Sequence, residues 1–163
     1  MPTIMTHAVV PVALAFAMGR TRVPVRVALA GVALAVLPDA DVIGFKFGIA
    51  YASEWGHRGA SHSLALAGVA AVLFSLLLRP PDRLAAFAFL FLSAASHGLL
   101  DALTSGGLGP ALLWPWTQER FFAPVTPIRV SPFAWNFSGG RAVMVLASEA
   151  RWVWLPCLGL AIT

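Results

Sequence analysis

The chain has 163 residues, the length of a single domain. Hydrophobic residues make up 59% of it and charged residues 11%, against about 45–50% and about 25% in a soluble domain. That excludes a water-soluble globule, and it also excludes disorder, which needs low hydrophobicity and high net charge. The formal charge of +4 comes from ten arginines and one lysine scattered singly, whereas nucleic-acid binders gather theirs on one face. The charge reads as topology and contact with anionic headgroups, no nucleic-acid partner is expected, and a small multi-pass integral membrane protein remains.

The first apolar run, Ile4 to Gly19, precedes the first basic residue, Arg20. A secretory signal would carry its basic residues ahead of the apolar stretch, so the segment reads as a retained membrane helix. A second run, Val25 to Leu37, is expected to stop at Pro38, which disfavours helical geometry in the residue before it. Both runs are short for a span of about 20 residues. Residues 39 to 60, broken by Gly44, Gly48, Gly56 and Gly59, read as a loop with one short interfacial helix. A third run, Leu64 to Leu78, ends at Arg79-Pro80-Pro81-Asp82, where Asp82 can cap the next start. The fourth, Leu84 to Leu103, is long enough to cross hydrocarbon. Residues 104 to 140 carry many prolines and glycines among tryptophans and phenylalanines, a composition suited to a folded cap at the membrane interface. A fifth run, Ala142 to Ile162, contains Glu149 and Arg151. The expected architecture is therefore all-α: one domain over 1–163, with about five membrane helices and an irregular, aromatic-rich interfacial cap. Cys157, the single cysteine, excludes an internal disulfide and reads as a packing or lipid-facing residue.

Alternating helix direction brings all four histidines of the chain (His7, His57, His62 and His97), together with Asp39, Asp41 and Asp101, to one membrane face. The short connections 20–26 and 79–83 hold five arginines, and the two long loops hold five basic residues spread over many more positions. The positive-inside tendency therefore turns the long loops, and this face, outward. His97 and Asp101 stand four residues apart on one helix face, with Ser93 and Thr104 extending the polar stripe. Ionisable groups at membrane depth need partners, and imidazole nitrogen with carboxylate oxygen is the donor set for Zn²⁺ or a similar divalent ion. Seven such groups exceed the needs of one tetrahedral ion, and a dinuclear site bridged by Asp101 would use them all. Arg58 reads equally as a phosphate clamp or an interfacial anchor. Glu54 and Glu149 are candidate general bases, with simple solvation the alternative. No GxSxG, HExxH or GxxxxGK[ST] element occurs, so serine hydrolase, zincin and P-loop readings lack their parts.

The blocks Met5-Thr6-His7, Leu37-Pro38-Asp39-Ala40-Asp41, His57-Arg58-Gly59-Ala60-Ser61-His62-Ser63, Ser96-His97-Gly98-Leu99-Leu100-Asp101-Ala102-Leu103-Thr104 and Leu113-Trp114-Pro115 together resemble the YdjM-like family of bacterial inner-membrane metal-dependent hydrolases. The likeness runs from residue 5 to about residue 135. Ser61 stands where the family pattern leads one to expect threonine, and the hydroxyl is kept. The HxxxD element is also similar, more loosely, to that of zinc-dependent phospholipases C. The resemblance implies an inner-membrane hydrolase whose metal-site residues are His7, Asp39, Asp41, His57, His62, His97 and Asp101.

Chemistry supplies the reaction expected of such a site: a divalent ion makes hydroxide available at neutral pH and clamps the oxygens of an in-line displacement. One or two ions are expected, Zn²⁺ first with Mn²⁺ and Fe²⁺ as alternatives. The substrate is a phosphoester of a membrane lipid or lipid-linked molecule, held by Arg58, Arg129 and Thr104, with Asp101, Glu54 and Glu149 in catalytic roles. Two other readings stand beside this one: a metal-binding or metal-transporting membrane protein without hydrolysis, and a structural subunit whose polar stripe packs helices.

Overall fold

A computed structural model describes residues 1–132 and 138–162. The cap's residues 133–137 lie outside the described part. The described residues fold into helices α1 (Ile4–Met18), α2 (Val25–Val36), α3 (Leu64–Leu78), α4 (Arg83–Ala102), α5 (Gly139–Glu149) and α6 (Leu155–Ala161). The last two are one run joined through a π-helical turn at Ala150–Trp154. Pro156 has no N–H to return to the turn before it, which is the usual reason a helix widens at such a point. There are thus five helical runs and, among the described residues, no strand beyond an isolated bridge between Thr104 and Ile128. Three of the runs are long and apolar enough to cross a membrane: Val25–Phe47, Arg83–Ala102 and Gly139–Ala161.

Pro38 does not end the second run. Leu37 keeps right-handed helical geometry, and the chain continues as a 3-10 helix from Leu37 to Phe47, closing at Gly48 in the left-handed region (φ 78°). Proline is tolerated here because it falls in the first turn of the new helix, where an N–H has no intrahelical duty. The reading of residues 39 onward as loop is corrected accordingly, and the run gains the length that Val25 to Leu37 lacked.

α4 is the centre of the bundle, with twelve of its 20 residues buried. Phe89, Leu90 and Ala86 pack against Val27 and Leu34 of α2 and Ala71 of α3. Asp82 caps α4 by accepting from the Ala85 N–H (2.9 Å), and Ser63 caps α3 by accepting from that of Leu66 (3.2 Å). Away from α4 the helices present Phe16, Leu29, Val69, Leu77 and Leu158, each more than half exposed. The chain is thus apolar outward and polar inward, as a bilayer requires and water would not allow.

The buried carboxylate of Glu149 ties the two ends of the chain together. It accepts the Thr3 N–H and the hydroxyls of Thr3 and Thr6, each at 2.6 Å, and Trp154 donates to the Thr6 hydroxyl at 2.7 Å. The cap is laced to the bundle by backbone bonds: Leu64 N–H to Leu112 (3.0 Å), Ala111 N–H to Arg58 (2.9 Å) and Ala123 N–H to Ala102 (2.9 Å).

Where α4 passes the loop carrying His62, it does so through Gly98. A Cβ there would stand 2.5 Å from the His62 carbonyl oxygen and 2.9 Å from Leu112. Gly98→Ala is therefore expected to destabilise the fold by about 1–3 kcal/mol, the cost of overpacking a tight contact. The check is the thermal midpoint in detergent, and an unchanged midpoint would mean that the loop yields freely.

Candidate metal centre

Four donors converge from three places in the chain. His97 and Asp101 lie one turn apart on α4, Asp39 sits in the first turn of the 3-10 helix after α2, and His62 closes a short 3-10 helix at Ala60–His62. All four are buried, His97 and Asp101 completely. The two Nε2 atoms of His62 and His97 are 3.0 Å apart. Asp39 Oδ1 is 3.4 Å from His97 Nε2 and 3.7 Å from His62 Nε2; Asp101 Oδ2 is 3.3 Å and 3.9 Å from the His62 and His97 nitrogens respectively. Ligands bonded to zinc at about 2.0–2.2 Å in a tetrahedron sit about 3.3–3.6 Å from one another. These donor separations straddle that range.

The ring orientations are set from outside the group. His97 Nδ1 is 2.7 Å from the Ala35 carbonyl oxygen, which can only accept, so Nδ1 carries the proton and Nε2 keeps its lone pair. Ala35 is open to receive it because the i,i+3 pattern beginning here would draw on residue 38, and proline has no N–H. His62 Nδ1 lies 2.9 Å from Ser61 Oγ, which donates to Asp41 Oδ2 at 2.7 Å. Both imidazoles therefore turn Nε2 toward the two carboxylates. Among the described residues, Asp39 Oδ1 and Oδ2 are buried without a hydrogen-bond partner, and Asp101 Oδ2 has, apart from the two imidazoles, only its ion pair with Arg58 Nε. Orphaned buried oxygens facing converging nitrogen lone pairs fit a divalent cation.

The other residues singled out in the sequence fall into distinct positions. His7 stacks on His97 with ring centroids 3.8 Å apart, and its Nε2 is 4.0 Å from Asp101 Oδ1. It is fully buried, and neither of its ring nitrogens has a hydrogen-bond partner among the described residues. Asp41 and His57 pair with each other at 2.7 Å and form a second grouping that shares His62. Asp41 also accepts the Arg58 N–H at 3.2 Å. The seven candidate ligands thus do not gather about one point: four do, His7 lies beside them, and Asp41 with His57 stands behind His62.

Arg58 is not placed as a phosphate clamp. Its guanidinium is 1% exposed. Nη2 donates to Asp101 Oδ1 (3.2 Å) and the Thr104 hydroxyl (3.0 Å), Nη1 donates to the carbonyls of Gly106 (3.0 Å) and Leu108 (2.7 Å), and Nε lies 3.0 Å from Asp101 Oδ2. Arg58 and Thr104 instead fix Asp101. Glu54 accepts from Trp114 (2.5 Å) and Gln118 (3.2 Å) and so anchors the cap, while Glu149 is committed to Thr3 and Thr6. Arg129 is exposed, and its bond to Ser148 comes from its backbone N–H. Sequence reasoning passed over Ser61 as an orienting group, although its hydroxyl beside His62 was visible. The Ala35 carbonyl carries no side-chain signal at all.

Burial by itself would push the His62 imidazolium down, but the carboxylates of Asp101, Asp39 and Asp41 within 3.7 Å of its ring nitrogens outweigh it and raise the group to about 10. In the metal-free protein a proton on His62 Nε2 then does what a cation would do, bridging to His97 Nε2. Metal entry must expel it. Zinc titration of metal-free protein near pH 7 is expected to release at least one proton per ion bound, read by calorimetry in buffers of different ionisation enthalpy. Binding with no proton release would contradict the shared-proton arrangement.

The family model described as "YdjM inner membrane protein" matches residues 1–163. The chain is 46% identical over 160 residues to "Inner membrane protein YbcI" of Escherichia coli (strain K12), covering 96% of this chain and 92% of that protein. No solved structure matches. A multi-pass helical fold, a buried His/Asp cluster able to hold a metal ion and a match along the whole length agree: the chain belongs to the YdjM inner membrane protein family.

Proposed function

We propose that the protein is a membrane-bound metal-dependent hydrolase acting on a phosphoester of a lipid or lipid-linked substrate. The observation that carries this reading is the set of four buried donors, Asp39, His62, His97 and Asp101, whose ligand atoms all lie within 4.8 Å of one another. A divalent ion held there, Zn²⁺ by the nitrogen–oxygen donor set with Mn²⁺ or Fe²⁺ as alternatives, lowers the pKa of water and draws charge from a phosphoryl oxygen. Asp39 and Asp101 balance a divalent charge, and the Arg58 guanidinium behind Asp101 leaves a net positive field for an anionic phosphoester. Both glutamates are engaged elsewhere, so His7 is the unpaired base at the site. Its Nε2, beside Asp101, takes the proton of the attacking water. The new bond forms between water oxygen and phosphorus, the ester P–O bond breaks, and the leaving alkoxide takes the proton that His7 received, which returns the imidazole to its neutral form. The arginine-rich short connections turn this face outward, to the headgroups of the outer leaflet.

A metal-binding protein without turnover is the second reading. The complete burial of His97 and Asp101 favours it, and turnover separates the two.

Detergent-purified wild type is expected to hold zinc and to release phosphate or a phospho-headgroup from lipid phosphoesters, whereas His97→Ala and Asp101→Ala lose both metal and turnover. Wild type that holds zinc and hydrolyses none of them would point to the second reading. His7→Ala is expected to keep its metal and lose about 10²–10⁴ in kcat, the usual loss for a positioned base. Loss of zinc equal to that of His97→Ala would make His7 a ligand instead. Glu54→Gln is expected to retain both metal and turnover, measured in the same assays.

A further inference from the structure

α2 and α3 both lean on α4 and touch each other far less. Between them runs a groove of about 330 Å³. Its walls are Leu34 and Leu37 on one side and Val69 and Leu73 on the other. Its floor is kept low by Ala67 and Ala94, both buried. No charged residue lines it, and its one polar wall is Ser61 at the upper end. The outer rims are lipid-facing: Leu37, Val69 and Leu73 are 60%, 61% and 51% exposed. The groove is therefore continuous with the surface that α2 and α3 turn to the bilayer, and it opens sideways into hydrocarbon.

Ser61 makes this groove different from the others. Its Oγ bonds Asp41 and meets His62 Nδ1, and Pro38, also on the wall, directly precedes Asp39. None of the grooves is lined by one of the four donors, but neither the larger apolar groove between α1 and α6, of about 570 Å³ around Val12, Phe16 and Leu158, nor that of about 300 Å³ between α1 and α2 is lined by a residue bonded to one, as Ser61 is to His62.

We infer that one acyl chain of a bilayer phospholipid lies in the α2–α3 groove, and that this chain guides the phosphoester to the metal centre laterally from the membrane. The inference rests on the lipid-phosphoester reading above and adds the route of entry and the part of the substrate that is recognised. Hydrocarbon matches a wall without polar partners, and within the bilayer close packing of chain against wall, not release of water, holds it there. A lipid whose chain fills the groove has its polar end at Ser61 and Pro38, each one residue from a donor, His62 and Asp39.

The test uses the full chain reconstituted in vesicles of phosphatidylethanolamine and phosphatidylglycerol, doped with a phosphatidylglycerol that carries a diazirine in the upper half of one acyl chain, within about 10 Å of the glycerol, the length of α3 from Leu66 to Leu73. After photolysis, labelled residues are mapped by mass spectrometry. Label is expected to concentrate on 34–38 and 66–73 over the α1–α6 groove. Ala70→Trp, whose indole would enter the groove from its α3 wall, is expected to reduce that label about tenfold, the loss expected when about ten packing contacts between chain and wall are removed. Val12→Trp in the α1–α6 groove should leave it unchanged. Zinc content equal to wild type certifies that Ala70→Trp is folded, and Leu73→Phe at the exposed rim serves if it is not. Label spread evenly over all lipid-facing helices, label indifferent to these substitutions, or cross-links between copies of the chain at this face would each overturn the inference. Label at the groove with no phosphoester hydrolysed would reject the hydrolase reading and leave the groove standing; hydrolysis without label there would do the reverse.

Discussion

Two imidazole nitrogens 3.0 Å apart repel one another through their lone pairs unless a proton or a cation sits between them. The arrangement here is stricter still, because His97 cannot tautomerise away from it without giving up the Ala35 carbonyl. Asp39 and Asp101 add two carboxylates to the same small volume, far from water. Uncompensated, that group would be costly in a low-dielectric interior. With a proton or a metal ion at its centre it becomes a reason for the surrounding chain to adopt one arrangement. This need for a shared proton or a metal ion at the centre is the constraint on which the rest of the site depends.

The fold serves that constraint in several independent ways. α4, the most enclosed helix, carries two of the donors and is capped at the far end by Asp82. Gly98 lets the loop bearing His62 come within reach. Pro38 performs two tasks: it starts a 3-10 helix that carries Asp39 inward, and it leaves the carbonyl of Ala35 unclaimed for His97. Arg58 holds Asp101 from behind through Nη2 and Nε, and binds the cap through the carbonyls of Gly106 and Leu108, so the cap and the centre cannot move apart without breaking charge-assisted bonds. Outside this polar interior the surface is leucine, valine and phenylalanine, which is why so small a chain can keep so many ionisable groups away from solvent.

Much of this was legible in the residues. The composition alone called for a bilayer, and the run Leu64 to Leu78 coincides with α3 because Ser63 and Arg79-Pro80 mark its ends chemically. Alternation of helix direction was enough to bring the histidines and aspartates to one face. The sorting of those residues was not legible. Nothing in the spacing of Asp39 and Asp41 tells that one points at the donors and the other backs His62 through Ser61, because a 3-10 helix, unlike the expected loop, separates the two by about 240° at three residues per turn. Arg58 looked free for phosphate since its partner, Asp101, is distant in sequence. Glu149 is bound by Thr3 and Thr6, more than a hundred positions away, and no local pattern announces such a pairing. The arrest expected at Pro38 failed for a physical reason: proline interrupts a helix only where its N–H would have been used.

The most direct test of the central claim is X-ray absorption at the zinc edge of the loaded, detergent-purified protein. Two imidazoles and two carboxylates predict four nitrogen or oxygen neighbours at about 2.0–2.2 Å, with the outer-shell scattering of two histidine rings, and loss of one ring in His97→Ala. A spectrum with no imidazole scattering, a sulfur neighbour, or a first shell of water oxygens alone would contradict the account and leave the buried cluster as a proton-bridged element of helix packing.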